Sequence, residues 1–154
     1  MRLHRLYALN AKTVNNMKKI VPGTEFEFEI PDEWWIDAGM KDYVPCTEHY
    51  HTNLSVCTAI VLLKEVEPPQ RDNGFWFRNK ESVLEVLRKM RDEDEVLEPI
   101  EVWSLAKKAS KKYIVRDGFH RFYLSIAAGF RKIPIKISDF VIEDLSKIDS
   151  LSHS

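Results

Sequence analysis

The stretch of the chain that decides its fold is Tyr113-Ile114-Val115-Arg116-Asp117-Gly118-Phe119-His120-Arg121, followed by an apolar-periodic run that ends at Ala128-Gly129. The β-branched residues, the glycine and the apolar spacing behind it predict a strand, a tight turn and a helix. The first backbone N–H groups of a helix have no partner within the helix, and the helix dipole is positive there. The sequence therefore predicts a turn that binds an anion, and phosphate is the anion we expect.

The side chains of this turn suit that chemistry in different ways. Gly118 lets the backbone turn sharply and approach a ligand closely. Arg121 offers a planar fork that matches phosphate oxygens, and His120 can donate a hydrogen bond or carry a proton near neutral pH. Asp117 is well placed as a helix N-cap, which requires no function. From these residues alone, an anion site and a merely capped helix remain open alternatives.

Composition places the chain among globular proteins. It has 154 residues, of which 44% are hydrophobic and 31% charged, enough for one well-filled core. No apolar run approaches the roughly 18–20 residues that a membrane helix needs, and the N-terminus lacks the apolar stretch of a secretory signal. Two cysteines are too few for a disulfide framework. We therefore expect a cytoplasmic protein with no membrane partner.

Charge is distributed unevenly along the chain. Nine Lys or Arg residues and one acid, Asp117, lie between Lys107 and Lys136, a local charge of +8 within a chain whose net charge is −1, which leaves about −9 elsewhere. A basic segment around the glycine turn favours a polyanionic ligand. A solvated basic face is the alternative interpretation.

The hydrophobic pattern predicts a small α/β (α+β) unit, a mixed sheet with flanking helices. Strands are predicted at residues 24–30, 56–66, 100–103, 112–115 and 133–137, and helices from Pro31 to about Gly39, over 81–91, after Gly118 and over 141–148. The order β–α–β–β–α–β falls between residues 56 and 137. We therefore expect an extension at residues 1–55 packed on a core domain at 56–142, with a C-terminal tail at 143–154.

Several of these segments resemble the ParB/sulfiredoxin superfamily. The resemblance covers roughly residues 58–142, with the segments in the same order. It is carried by residues 113–121, by Ala127-Ala128-Gly129-Phe130-Arg131-Lys132-Ile133-Pro134, by Leu97-Glu98-Pro99-Ile100-Glu101-Val102 and by the proline box Pro68-Pro69-Gln70-Arg71. It implies the superfamily's α+β fold and a glycine turn that holds nucleotide phosphates.

The departures from the superfamily's motifs narrow the set of its known functions that fit this chain. Sulfiredoxin has Gly-Cys-His-Arg with a nucleophilic cysteine, and Phe119 stands at that position here. ParB partition proteins have a Gly-Glu-Arg-Arg-type motif and a following DNA-binding domain, for which we expect no room after residue 137. The Asp-Gly-x-His-Arg form is closest to ADP-dependent free-serine kinases. Their proline-box glutamate corresponds to Gln70, a neutral amide that cannot act as a base, with Glu67 nearby as a substitute.

The resemblance implies a role for each residue of the turn. Gly118, Phe119, His120 and Arg121 would hold the phosphates of ATP, ADP or CTP, and Arg71 would reach in from the proline box. His120 and Asp117 would be the catalytic residues. Asp117 would also help to hold Mg²⁺, which commonly takes one or two carboxylates together with phosphate oxygens.

Three functions follow from this interpretation. The first is Mg²⁺-dependent phosphoryl transfer to a small-molecule or protein acceptor, or nucleotide hydrolysis, by a phosphotransferase or NTPase. The second is a non-catalytic or DNA-binding ParB-like module, of the kind described as a nuclease, whose basic segment contacts nucleic-acid phosphates. The third is a structural protein with a vestigial site that acts through its aromatic surface.

Two other clusters have a structural and a functional interpretation. Cys46, His49 and His51, with Cys57 further along, are metal-ligand types, but a polar loop is the simpler interpretation because no second matching pair is present. Trp34-Trp35 and Phe75-Trp76-Phe77 are expected to pack in the core, with an interface or base-stacking surface as the alternative.

Overall fold

The computed structural model describes residues 15–69, 77–106 and 111–143 of the chain. These form a two-stranded hairpin, a five-stranded sheet and three α-helices. The elements are β1 Asn16–Ile20, β2 Glu27–Pro31, α1 Asp32–Asp37, β3 Ala59–Leu62, β4 Val66–Glu67, α2 Lys80–Arg91, β5 Ile100–Leu105, β6 Tyr113–Asp117, α3 Phe119–Ala128 and β7 Lys132–Ile142. Short 3₁₀ turns lie at Leu54–Val56 and Leu63–Glu65.

The larger sheet is mixed, with the strand order β3-β7-β5-β6-β4. β5 runs parallel to β7 and antiparallel to β6, while β4 is parallel to β6 and β3 antiparallel to β7. The helices α2 and α3 pack against the apolar side of this sheet, where Ile100, Val102 and Val115 are buried. The predicted α+β class, a mixed sheet with flanking helices, is confirmed.

The single strand predicted over residues 56–66 was wrong. The chain forms β3, turns through Leu63–Glu65 and continues as β4, and the two strands lie at opposite edges of the sheet. The Glu65 carboxylate accepts a hydrogen bond from the Leu62 backbone N–H at 3.3 Å and closes the turn, while Leu63 stays buried within it. An apolar run can therefore continue through a turn when the turning residue is itself in the core.

The last strand is longer than the sequence predicts. Val141 and Ile142 belong to β7 and pair with Ser104 and Leu105 of β5, so a helix beginning at residue 141 was wrong. Parallel pairing with the long β5 supplies backbone partners beyond Ile137 that the local sequence does not reveal. Residues 144–154, which include the rest of that helix and nearly all of the proposed tail, lie outside the described residues.

The N-terminal elements share one core with the sheet. Val21, Phe28, Met40 and Tyr50 are at most 1% exposed and belong to the same apolar cluster as the buried faces of α2 and α3. Trp34 and Trp35 are partly buried against this cluster, as the core-packing interpretation predicts. Of the described helices, none has the length and apolar character needed to cross a membrane.

Candidate functional site

The strand-turn-helix unit predicted around Gly118 is present. β6 passes into α3 through Gly118, whose φ is 96° and ψ is 38°, a left-handed conformation that side chains disfavour. A Cβ at this position would lie 2.8 Å from Arg121 Nη2 and 2.9 Å from Ile100 Cγ2. The position therefore needs glycine both for its backbone conformation and for the space above it.

Asp117 is not the N-cap of α3, so that part of the prediction was wrong. It is the exposed last residue of β6, paired with Glu101 of β5, and Gly118 occupies the N-cap position. The left-handed conformation at the helix start favours glycine, and Asp117 accordingly lies one residue further back, in the strand. The first turn of α3 contains no acidic residue. The positive end of the helix dipole is therefore not offset by a carboxylate within that turn.

Arg121 joins the turn to the loop that precedes β5. Its Nη1 donates hydrogen bonds to the carbonyl oxygens of Glu98 at 3.0 Å and Pro99 at 3.2 Å. Its Nη2 lies over Gly118, as the short distance to a Cβ there shows. The guanidinium is thus held by one nitrogen and presents the other at the helix start.

The Glu98 carbonyl has a second donor, which sequence analysis did not identify. The Tyr50 hydroxyl donates to it at 2.7 Å, and the next residue, His51, accepts a backbone hydrogen bond from Leu97 at 2.9 Å. Tyr50 is 1% exposed, and burial raises the pKa of its hydroxyl far above the ordinary value. Nothing in the aperiodic sequence around Tyr50 indicates this contact, because it joins residues 48 positions apart.

His120 is half-buried in the first turn of α3. Its ring centroid lies 5.5 Å from that of Phe77, with the planes tilted by 33°. Burial, followed by the neighbouring charge of Arg121, lowers the pKa of His120 below its ordinary value. This shift favours the neutral imidazole, which can donate through one nitrogen and accept through the other.

A cleft of about 640 Å³ opens in front of the turn. This volume falls within the range of small-ligand sites, roughly 300–1,000 Å³. The start of α3 forms one wall and α2 the other, with the loop before β5 between them. The lining residues are Ser82, Glu85, Val86, Lys89, Val96, Leu97, Glu98 and 117–121. Sequence analysis did not place the α2 residues in the site, because their spacing indicates an amphipathic helix and no ligand.

The described residues of the basic segment do not converge on the cleft, contrary to the polyanion interpretation. Lys112 pairs with Glu65 at 2.7 Å, Arg116 with Glu101 at 3.5 Å, and Arg131 and Lys132 with Glu48 at 3.1 and 2.9 Å. Among the basic residues of this segment that the structure describes, Arg121 is the one that lines the cleft. Arg116 lies in β6, Arg121 in α3 and Lys132 at the start of β7, so the fold separates side chains that are close together in the sequence.

The two metal hypotheses concern Mg²⁺ at Asp117 and an ion held by Cys46, His49 and His51. Within the described ranges, no three or more His, Cys, Asp or Glu side chains are arranged to hold an ion. The Cys46 thiol instead donates to Glu93 Oε1 at 3.2 Å, and that contact raises the pKa of the thiol. Asp117 supplies a single carboxylate, which suits Mg²⁺ only when phosphate oxygens complete its shell.

The proline box lies largely outside the described residues. Gln70, Arg71, Phe75 and Trp76 fall in the undescribed segment, so their predicted places in the site stay predictions. β4 runs parallel to β6 and ends with Glu67 paired to Ile114. Glu67 therefore lies beside Ile114, which is three residues before Asp117, or about 10 Å away from it along β6.

Comparisons with known proteins add a structural likeness. No family model matches the chain, and no curated protein matches it. The fold is similar to the crystal structure of the C-terminally truncated chromosome-partitioning protein ParB from Caulobacter crescentus complexed with CTP-gamma-S, with a TM-score of 0.43 and 21% identity. The match covers 60% of this chain and 48% of that one, about half of the ParB chain. A likeness of this size carries no argument about function.

Proposed function

We propose that the cleft binds the phosphate groups of a nucleotide at the start of α3. The observation that carries this proposal is that the Gly118 turn brings an acid-free helix start and the Arg121 guanidinium to one wall of a ligand-sized cleft. Both features favour an anion. The apolar side chains of Val86, Val96 and Phe119 on the same cleft suit the less polar part of a nucleoside.

Each residue of the turn has a proposed role. The backbone N–H groups that follow Gly118 and the Nη2 of Arg121 would donate to phosphate oxygens. Neutral His120 would donate to the terminal phosphoryl group, and Asp117 would receive a proton or hold Mg²⁺ beside the phosphates. Bound Mg²⁺ would neutralise phosphate charge. In phosphoryl transfer or hydrolysis such positioning and charge neutralisation supply most of the catalysis.

Binding of nucleic-acid phosphates is the less supported alternative. A duplex backbone is recognised by several exposed Lys or Arg side chains on one surface. Four of the described basic residues of segment 107–136 instead form ion pairs, and Lys111 donates to the backbone carbonyls of Pro22 and Val66. Lys107 and Lys108 lie outside the described residues.

The proposal is tested by ligand-dependent stabilisation. ATP, ADP, CTP and GTP, each with and without Mg²⁺, are screened by thermal shift, and at least one should raise the Tm in a concentration-dependent way. Gly118→Ala should abolish that response, because its Cβ would meet Arg121 and Ile100. Gly129→Ala is the matched control: its φ is 97°, yet among the described residues its Cβ would meet Pro45 alone, at an ordinary contact distance of 3.5 Å. Both variants should lose about 1–2 kcal/mol of stability, but only Gly118→Ala should lose binding.

A titration of the wild type provides a test that needs no variant. The backbone amide NMR signals of residues 118–121 should move first as the nucleotide is added. Nucleotides that leave both the Tm and these signals unchanged would contradict the proposal. A Tm raised instead by duplex DNA, with a steep loss on adding salt, would favour the nucleic-acid alternative.

A further inference from the structure

Residues 43–51, called here the strap, cross the end of α2 and reach the back of the cleft. The Tyr43 hydroxyl donates to the Met90 carbonyl at 3.4 Å, and the Glu48 carbonyl accepts backbone hydrogen bonds from Arg131 and Lys132 at 3.0 and 2.9 Å. His51, the last residue of the strap, accepts one from Leu97 at 2.9 Å. The strap is therefore fixed to α2, to the start of β7 and to the loop before β5.

One contact of the strap bears directly on the proposed phosphate site. The Glu98 carbonyl oxygen accepts from the Tyr50 hydroxyl at 2.7 Å and from Arg121 Nη1 at 3.0 Å. Tyr50 does not line the cleft, whereas Glu98 and Arg121 do. Tyr50 therefore does not contact a ligand in the cleft directly. It can affect such a ligand only through Glu98 and Arg121.

Tyr50 is well suited to fix that carbonyl. Its ring is packed in the core with 1% exposure, so the hydroxyl is held in place by the surrounding side chains. The high pKa of its hydroxyl keeps the proton on it at neutral pH. The oxygen of Glu98 therefore has one immobile donor, and the guanidinium of Arg121 is attached to an acceptor of fixed position.

We propose that Tyr50 is a positioning residue for the phosphate site: by holding the Glu98 carbonyl, it holds the Arg121 guanidinium over Gly118. This inference rests on the proposed function of the cleft. It assigns a role in the site to the N-terminal part of the chain, outside the segments that resemble the ParB/sulfiredoxin superfamily. An arginine held in place before binding loses less side-chain freedom when it meets the ligand.

The first experiment compares two tyrosine-to-phenylalanine variants. Tyr50→Phe removes the hydroxyl and keeps the buried ring, and Tyr43→Phe removes a hydroxyl that also donates to a backbone carbonyl but lies away from the cleft. Affinity for inorganic phosphate is measured by titration of the amide signals of residues 118–121. Tyr50→Phe should weaken binding about 3- to 10-fold, the effect of one typical hydrogen bond, while Tyr43→Phe should bind as the wild type does.

The second experiment asks whether Tyr50 acts through Arg121. In an Arg121→Ala background, Tyr50→Phe should weaken phosphate binding no further, because the group that it positions is gone. In the ligand-free protein, the guanidinium ¹⁵N–¹H signals of Arg121 should shift and broaden in Tyr50→Phe and stay unchanged in Tyr43→Phe. The amide spectra of both variants report that they are folded.

The outcomes separate this inference from the function on which it rests. Absence of binding by the wild type, with phosphate and with the four nucleotides, would overturn the proposed function. Unchanged Arg121 signals in Tyr50→Phe would overturn the positioning role alone, whatever the affinity. So would an affinity equal to that of the wild type, or a loss that persists in the Arg121→Ala background.

Discussion

Gly118 and Gly129 show how one residue type serves two purposes at the ends of α3. Their φ angles, 96° and 97°, are almost the same, and each ends or begins the helix where a side chain would be strained. Gly129 only stops the helix, whereas a Cβ at Gly118 would also meet Arg121 and Ile100. The atoms around Gly118, and not its backbone conformation, therefore distinguish a glycine that the site needs from one that only ends a helix.

His120 makes the stability of the folded protein depend on pH. Its folded-state pKa is lowered from the ordinary value of 6.5, mainly by burial and then by the charge of Arg121. Below about pH 6.5 the unfolded chain binds a proton that the folded protein resists. The stability of the wild type should therefore decrease as the pH falls from 6.5 towards the folded-state pKa, and this loss should level off below it.

The comparison with His120→Gln isolates this effect. Urea unfolding of both proteins between pH 7.5 and 5 should show the wild type losing more free energy of unfolding than the variant, which has no imidazole at this position. The other four histidines of the chain are common to both proteins, so the comparison reports on position 120. Parallel pH dependences of the two proteins would show that His120 is not the group responsible.

At the scale of elements, a lysine links the N-terminal hairpin to the sheet by hydrogen bonds. Lys111 Nζ donates to the Pro22 carbonyl at 2.7 Å, in the turn between β1 and β2, and to the Val66 carbonyl at 3.1 Å, in β4. Burial lowers the pKa of Lys111. This side chain, expected to contribute to a basic ligand surface, is a structural connection between the hairpin and the edge of the sheet.

Lys111→Met should therefore destabilise the protein without affecting the cleft. The variant keeps most of the apolar stem but leaves two carbonyls without their charged donor, which is expected to cost about 1–3 kcal/mol. Lys112→Met is the matched control, since Lys112 is more exposed and pairs with Glu65 near the surface, where an ion pair contributes little. The free energy of unfolding in urea measures both. Equal losses would contradict the assigned role of Lys111.

At the scale of the whole molecule, the N-terminal elements and the sheet have a continuous apolar core. The ring of Phe28 lies 5.0 Å from that of Tyr123 in α3 and 6.4 Å from that of Phe77, centroid to centroid. Phe26 stacks on Tyr123 at 5.9 Å. The boundary at residue 55 stays a prediction about which part resembles the superfamily, but packing does not stop there.

We expect a fragment of residues 56–142 not to fold alone. Without the first 55 residues, Tyr123 and the apolar surface of α2 and α3 would be exposed to solvent. The strap behind the cleft would also be missing. The fragment should show no cooperative transition in urea and a poorly dispersed NMR spectrum, with the full chain as the control. A cooperative transition in the fragment would show that residues 1–55 are dispensable for folding.

Local structure was predicted from the sequence where local chemistry decides it. The helix over 81–91, the short helix after Pro31, the Gly118 turn and the Gly129 stop were confirmed, because periodicity and positive φ depend on residues close together in the chain. Asp117 was misplaced by one residue, since the choice between strand end and N-cap depends on pairing with Glu101. The strand over 56–66 was split because its halves pair with different partners.

By itself, the sequence determined a strand-glycine-helix unit with a histidine and an arginine at the helix start. Tertiary structure alone decided what surrounds that unit: the α2 wall of the cleft, the attachment of Arg121 to Glu98, and Tyr50 behind it. It also decided that Lys111, Lys112 and Arg131 contact Pro22, Glu65 and Glu48 and do not line the cleft. The physical reason is range, because turns and helices follow from neighbouring residues, whereas these contacts join residues more than 20 positions apart.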